Sequence, residues 1–370
     1  MVLILTISLS LVLISIAILA VLWTAWKPKA QNTDSLSGEL PKIAVLVAVR
    51  NEFNTIEETL LSLLALDYPS DKIELFIGDD GSTDGSTEIM KKHAALSEHL
   101  HYVSISQHEG ASDIAKSFVL GELAKLAKSD YLMFTDGDIV VPPSWIKKHV
   151  ACLKEDTSIQ SGFTVINKVG FFSSMQMIDW SFALGMVKIL SGWGVPVTAV
   201  GNNMLIKREA YDAVGGFEKL PFSVTEDFAI FKLLVSKGFG FQQLANQESL
   251  AVSASATSLR SLLQQRKRWM VGAMQLPLIM RGLLFVQALY YVAIIILLIF
   301  NPLVAIPLFG LKITIQSLFI NKIHERIGEY IPIGHLFIFE FYSAFLTIIL
   351  SVYYLLPLPV EWKGRKLNNK

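Results

Sequence analysis

An uncharged apolar run, Val2 to about Ala25, opens the chain, and three more follow Gly282, at 283–300, 303–320 and 336–360. About 20 consecutive apolar residues are what a helix needs to cross a hydrocarbon core. These runs therefore fix where the chain can meet a bilayer before any other feature is considered. At 370 residues and 52% hydrophobic composition, the chain has room for one sizeable domain beside such segments.

A cleavable signal peptide would need a basic start and a small-residue cleavage site, and the first run has neither. Lys27 and Lys29 follow it, while only the amino terminus carries charge before it. The positive-inside bias then predicts an N-terminus outside and a cytoplasmic block from residue 30 onward. The expected organisation is an anchor at 1–26, a polar linker at 27–40 and a cytoplasmic domain at 41–255. An amphipathic interfacial region at 256–280, apolar spans within 283–360 and a tail at 361–370 complete it. This describes a multi-pass protein of the cytoplasmic (inner) membrane. One conflict stands out. Three spans after a cytoplasmic domain would carry Lys363, Arg365, Lys366 and Lys370 outside, against the same bias, so either one apolar run does not cross or the rule fails here.

Lysine plus arginine equals aspartate plus glutamate, 32 each, so no global field points to nucleic acid. Cys152 is the only cysteine. That excludes an internal disulfide and a cysteine-based zinc cluster, and suits a reducing compartment.

From residue 41 to about 252 the chain alternates short apolar β-like runs with helical patterns, as a mostly parallel α/β sheet flanked by helices does. The strands expected are 43–49, 73–78, 102–105 and 131–135. Helical apolar spacing covers 56–66, 87–96 and 114–127. The apolar runs at the two ends are expected as transmembrane helices.

Four short motifs sit in this block. Asp79-Asp80-Gly81-Ser82 falls at the carboxyl end of a strand, the edge where open α/β sheets bind ligands. A carboxylate there can accept from a base N–H or a ribose hydroxyl; the alternative is an Asp-Gly turn capping the next helix. Asp80-x-Ser82-x-Asp84-Gly85 also copies half of a calcium loop, but Lys91 stands where its bidentate glutamate belongs. Thr135-Asp136-Gly137-Asp138 ends another strand. Its two carboxylates suit a hard divalent ion, Mg²⁺ or Mn²⁺, with positions left for diphosphate oxygens; the alternative is a solvated turn. Thr225-Glu226-Asp227 opens a helix, where acidic residues stabilise the N-terminus by about 0.3–1 kcal/mol or where Asp227 could take a proton from an attacking hydroxyl. Gln265-Arg266-Lys267-Arg268-Trp269 lies on the amphipathic stretch Leu259–Ala273. Leu259, Leu262, Leu263, Trp269, Met270 and Ala273 form its apolar face and the basic residues its flank, as in an interfacial helix.

In this order, from Lys42 to Trp269, the four motifs resemble those of the membrane-bound glycosyltransferases of family 2, with a GT-A fold and a Gln-x-x-Arg-Trp motif. Val49-Arg50-Asn51-Glu52 is similar to that family's first nucleotide-contacting turn. Ala115-Lys116-Ser117-Phe118-Val119-Leu120 resembles its Gly-Lys-x-x-Ala-Leu segment, with Ala115 replacing the glycine. Gly201-Asn202-Asn203 is similar to the small-residue turn facing the sugar. The resemblance implies that Arg50, Glu52, Asp79, Asp80, Lys116, Asp136, Gln265 and Arg268 hold a nucleotide-sugar, UDP-linked by preference. It implies a metal on Asp136 and Asp138, an acceptor beside Trp269, Glu226 and Asn202, and Asp227 as the base of an inverting transfer. A lipid or lipid-linked glycan acceptor is favoured because three or four spans are few for a translocation channel. A processive polysaccharide synthase subunit and a non-catalytic membrane scaffold are the alternatives. A transporter is disfavoured because no apolar run is expected to hold an interior charged pair. P-loop, Gly-x-Gly-x-x-Gly and His-Glu-x-x-His signatures do not occur.

Overall fold

The computed structural model describes residues 1–26, 39–105, 116–220, 223, 225–362 and 365–367. Most of the linker with Lys27 and Lys29, Ala115, and the tail residues Lys363 and Lys370 lie outside these. Two compact units emerge. One gathers Met1–Lys29, Lys168–Val197 and Ala273–Pro357, and the other Ala30–Asn167, Thr198–Gly272 and Leu358–Lys370.

The second unit is built on a sheet. Its central strand β1, Ile43–Val49, is apolar at every position and buried nearly throughout, the pattern of a strand covered on both faces. Around it lie β2 (Ile73–Asp79), β3 (Leu100–Ser104) and β4 (Tyr131–Asp136), parallel in the order β3-β2-β1-β4. Helices α2 (Ile56–Leu64), α3 (Ser86–Ala94) and α4 (Lys116–Leu126) fall between them in sequence. These elements follow the sequence expectation to within a few residues at each end. The chain continues through β5 (Ile139–Val140), α5 (Trp145–Ala151), β6 (Thr157–Ser161) and β7 (Thr164–Ile166). After an excursion into the other unit it returns as β8 (Met204–Lys207) and α7 (Arg208–Ala213), then α8 (Glu226–Ser236), β9 (Gly240–Gln243) and β10 (Ala251–Ser253). β8 joins β4 antiparallel, and β6 and β9 extend the sheet beyond it to seven strands among the described residues.

Alternate strand residues feed two apolar layers. Leu46, Phe134, Leu120, Ile206 and Ile230 share one, and Val45, Leu60, Leu75, Met133 and Trp145 the other. Register decides where the polar motifs emerge. Asp79 pairs with Val49 and Asp136 with Ala48, so both acidic motifs leave the sheet at one carboxyl edge.

The other unit is helical. It contains α1 (Val2–Ala25), α6 (Phe171–Gly192), α10 (Leu278–Phe300), α11 (Pro302–Ile327) and α12 (Ile333–Leu355). Four of these, all but α6, are long and apolar enough to cross a membrane among the described residues. α1, α10 and α11 pack around Val12, Ile16, Tyr290, Ile294, Leu297 and Ala305. The predicted 41–255 domain takes in α6, whereas α6 packs with the apolar helices, its Phe182 ring 5.8 Å from Phe319 and 6.4 Å from Phe339. Met175, Ile178, Leu184, Val187 and Leu190 are also buried. A helix apolar on several sides needs such all-round cover.

One expectation is overturned here. Lys312 of α11 and Glu340 of α12 form an ion pair, with side chains 0% and 1% exposed, and Gln316 Nε2 donates to Glu340 Oε2 at 3.1 Å. Each apolar run holds only one of the two charges, so neither run discloses the pair.

A carboxylate cluster on the sheet edge

The turn after β1 and the loop after β2 clasp each other. Asn51 N donates to Ser82 Oγ (3.1 Å), Thr83 N to Asn51 Oδ1 (2.9 Å), Glu52 N to Ser86 Oγ (2.9 Å) and Phe53 N to Asp84 Oδ2 (3.0 Å). The half calcium loop is thus accounted for: Ser82 and Asp84 hold a neighbouring turn. Asp79, buried, accepts from Ser82 N (2.9 Å), Thr87 Oγ1 (2.6 Å) and Tyr102 OH (3.1 Å). Its oxygens serve the loop. Asp80 is also buried, pairs with Arg50 Nη1 at 3.7 Å, and offers its carbonyl to the same guanidinium. Glu52 accepts from Thr55 Oγ1 (3.2 Å) and lies beside Gly137 of the Asp-Gly-Asp turn.

Lys116, the first residue of α4, reaches two motifs at once. Its Nζ is 2.7 Å from Asp136 Oδ1 and 2.7 Å from Glu226 Oε1. Burial alone would lower the lysine, but the carboxylates of Asp136, Glu226 and Asp227 outweigh it and hold the ammonium above its ordinary range. Burial likewise pushes Glu226 up, and the Lys116 ammonium more than reverses that, with Arg268 of the helix α9 (Leu259–Ala273) adding to the effect. Glu226 is therefore held ionised below the usual carboxylate range.

Asp227 goes the other way. Burial, then the neighbouring Glu226 charge, push it up to about 6, against the pull of Lys116 and two backbone N–H groups. Gly201 N donates to Asp227 Oδ2 at 2.9 Å, and Phe228 N to Oδ1 at 2.8 Å. Two adjacent acids with opposite shifts make a division of labour: Glu226 balances Lys116, and Asp227 can hold or release a proton near neutral pH.

Position 201 has to be glycine for this to work, since a Cβ there would lie 2.6 Å from Asp227 Cβ. The turn around it is fixed from both sides. Thr135 Oγ1 donates to Asn202 O (2.9 Å), and Thr164 Oγ1 to Asn202 Oδ1 (2.8 Å). Asn203, fully buried, donates from Nδ2 to Phe163 O (2.8 Å) and Ser249 O (3.0 Å), while its Oδ1 accepts from Trp145 Nε1 (3.0 Å). His149 Nε2 is also 2.9 Å from that oxygen. Burial lowers His149 to about 4, so the ring is neutral with one N–H, on Nε2. The Gln160 carboxamide lies 2.7 Å from Nδ1, and its NH₂ end is the one that satisfies the ring. The sequence points to Asn202. Asn203, Trp145, His149 and Gln160 carry no signal of this role, because their pairing crosses elements far apart in the chain.

Asp138 accepts from Ser253 Oγ at 3.4 Å, beside β5 and β10. Among the described residues no group of three or more acidic, histidine or cysteine side chains could hold a metal by itself. Asp136 and Asp138 nevertheless fit a hard divalent ion that takes its remaining ligands from diphosphate and water. Both are carboxylates only partly exposed at the strand edge, and one already draws a cation to it in Lys116.

The predicted amphipathic helix appears with the expected limits, but its faces differ. Arg266 and Lys267, expected on the charged flank, are buried, and Leu259 is 37% exposed. Arg266 lies over the Trp269 ring, 4.4 Å from its centroid, and Lys267 Nζ donates to Leu358 O at 3.0 Å. Long aliphatic stems bury while their heads find partners. Near the end of α9 a Cβ at Gly272 would meet Thr225 Oγ1 at 2.8 Å, so α9 packs directly on the start of α8. The structure thus gathers Lys116, Asp136, Glu226, Asp227 and Arg268 into one charged cluster. Arg50 and Asp80 pair separately, and Gln265, Arg268 and Trp269 are half-buried on α9.

The family model for Glycosyl transferase family 2 matches residues 44–215, and that for Glycosyl transferase family group 2 matches residues 131–358. A poly-beta-1,6-N-acetyl-D-glucosamine synthase of Staphylococcus aureus is 28% identical over 65% of this chain and 56% of its own. A beta-monoglucosyldiacylglycerol synthase of Nostoc is 26% identical over 65% of this chain and 50% of its own. The chain thus spans about half the length of these curated relatives. Among solved structures, the mannosyltransferase PcManGT of Pyrobaculum calidifontis, in complex with GDP-Man and Mn²⁺, is 17% identical, with a TM-score of 0.57 over 95% of this chain and 99% of that one. That likeness shows a GT-A fold, with its mostly parallel sheet flanked by helices. The motifs at the sheet edge and the matched family models lead to one assignment: this chain belongs to the family 2 glycosyltransferases.

Proposed function

We propose that the chain moves a sugar from a nucleotide-sugar, UDP-linked, to a hydroxyl of a lipid or lipid-linked glycan, with inversion at the anomeric carbon. The observation that carries this reading is Asp227: half-buried, held by the Gly201 N–H at 2.9 Å and pushed up to about 6. Ionised, it accepts the proton of the attacking hydroxyl as that oxygen bonds to the anomeric carbon and the bond to the nucleoside diphosphate breaks. Asp136 and Asp138 would hold a divalent cation, Mg²⁺ or Mn²⁺, which when bound neutralises charge on the departing diphosphate. Lys116, already between the motifs, supplies a further positive charge to that diphosphate, and Arg268 with Gln265 closes the same side. Asp80 with Arg50 borders the nucleotide end. Asn202 and Glu226 flank the acceptor.

The lipid acceptor rests on the monoglucosyldiacylglycerol synthase relative and on the apolar helices. The polysaccharide synthase relative favours a second reading, a processive synthase subunit. Trp269 separates the two roles of the α9 end. If its indole packs the acceptor, Trp269→Ala impairs transfer far more than hydrolysis of donor by water; equal loss in both would make Trp269 a packing residue. The deciding experiment incubates membranes with radiolabelled nucleotide-sugars. Label extracted into organic solvent supports the glycolipid reading. Label in high-mass polymer supports the synthase reading, and no incorporation from any donor refutes both. On either reading the sheet unit works on the cytoplasmic face of the cytoplasmic membrane.

A further inference from the structure

We propose that the helical unit binds a group that donates two O–H bonds and accepts one, held by Tyr290 of α10, Gln316 of α11 and Glu340 of α12. A water molecule or the vicinal diol of a lipid headgroup has that chemistry. The polar residues of these apolar helices are spaced to share faces. Gln287, Tyr290 and Tyr291 recur at three and four on α10, Lys312 and Gln316 at four on α11, and Glu340 and Ser343 at three on α12.

Those faces meet. Lys312 pairs with Glu340, and Gln316 Nε2 donates to Glu340 Oε2 at 3.1 Å. Lys312 Nζ lies 4.7 Å from the centroid of the Tyr290 ring and 5.5 Å from that of Tyr291. Tyr291 OH donates to Ser343 Oγ at 2.8 Å and accepts from Gln287 Nε2 at 3.2 Å. The cluster lies well inside its helices. Lys312 is about 15 Å along the axis from Pro302, half the thickness of a hydrocarbon core of about 30 Å. Polar groups at such depth need partners inside the protein.

Three atoms of the cluster, Tyr290 OH, Gln316 Oε1 and Glu340 Oε1, are buried with no hydrogen-bond partner among the described residues. Their residues are 0%, 1% and 1% exposed. An ion pair taken out of water is stable only when its remaining lone pairs are satisfied. The Gln316 carboxamide must turn its NH₂ end to the carboxylate, which leaves its oxygen an acceptor. Glu340 Oε1 and Gln316 Oε1 therefore each need a donor, and the Tyr290 O–H needs a lone pair. The Lys312 ammonium is taken up by Glu340 Oε2 and by the faces of two tyrosine rings. A water molecule answers all three demands with the three bonds usual for a buried water. A lone alcohol has one O–H and would leave an acceptor bare, whereas two adjacent hydroxyls complete the count. A phosphate or carboxylate brings no donor and would meet the like charge of Glu340. No residue of the sheet-edge cluster enters the count, so the site stands or falls independently of the transfer reaction.

The sign of a stability change tests the site on the full chain in lipid nanodiscs. If the Tyr290 hydroxyl has no partner, Tyr290→Phe removes a buried orphan and is neutral or stabilising. If it binds the proposed group, Tyr290→Phe should lower the apparent Tm by about 2–4 °C. Two measurements identify the group. For water, exchange into ¹⁸O-labelled water should shift an O–H stretching band in the infrared spectrum of the unaltered protein that Tyr290→Phe lacks. For a lipid, mass spectrometry of the denatured complex should find a diol-bearing lipid in one-to-one amount with the unaltered protein and less with Tyr290→Phe. Gln316→Leu, which deletes another of the three partners, replaces Tyr290→Phe in both comparisons should the latter fail to fold. A lowered Tm with either signal supports the proposal. A Tyr290→Phe protein as stable as the unaltered one, or the absence of both signals, overturns it.

Discussion

Lys116 Nζ lies 2.7 Å from Asp136 Oδ1, so the lysine that opens α4 is the counter-ion of the first carboxylate in the Asp-Gly-Asp turn. The same ammonium reaches Glu226 and thereby links the metal-type motif to the acidic start of α8. Lys116 and Arg268 offset only part of the carboxylate charge of Asp136, Glu226 and Asp227 at this sheet edge. The remaining negative charge is what a divalent ion arriving with a diphosphate would meet.

Asp136→Asn or Asp138→Asn should reduce transfer by about a hundred- to thousand-fold, as loss of one electrostatic stabiliser does elsewhere. Chelation should do the same to the unaltered protein, with recovery on adding Mn²⁺ or Mg²⁺. Undiminished turnover after exhaustive chelation would remove the metal from the account.

Lys116→Met should move the acid limb of the kcat/KM profile. Asp227 must be ionised to act, so activity should rise with pH through about 6. A nearby positive charge favours the ionised form. Removing it therefore raises the Asp227 pKa and shifts the limb to higher pH. A limb that stays in place or moves down would show that Lys116 does not act on Asp227.

Gly201→Ala should lower kcat by about a hundred-fold, the cost of displacing a catalytic group by about 1 Å. The added Cβ would sit 2.6 Å from Asp227 Cβ. Donor KM should change little. An unaltered kcat would mean that the turn yields without moving Asp227.

Much of this site was legible in the chain because strand ends are local. Val49 ends an apolar run and so do Asp79 and Asp136, and parallel register then brings those ends to one edge. The Leu259–Ala273 helix was legible from its three- and four-residue spacing. What pairs across distant elements was not. Lys116 meeting Glu226, the Asn203–His149–Gln160 network and the Lys312–Glu340 pair each depend on which elements become neighbours. α6 escaped for another reason: its apolar residues are interrupted by Ser173, Gln176, Asp179 and Lys188, so the run looks like part of the mixed domain instead of a helix among apolar ones.

Asp227→Asn is the most direct test of the account. Sugar transfer and nucleotide binding should be measured on the same preparation, the first by label incorporation and the second by calorimetric titration. Loss of a base lowers the rate by about a hundred- to ten-thousand-fold and leaves donor affinity nearly intact, and that split is the predicted result. Transfer at the unaltered rate, or a loss of nucleotide affinity as large as the loss of rate, would contradict Asp227 as the base.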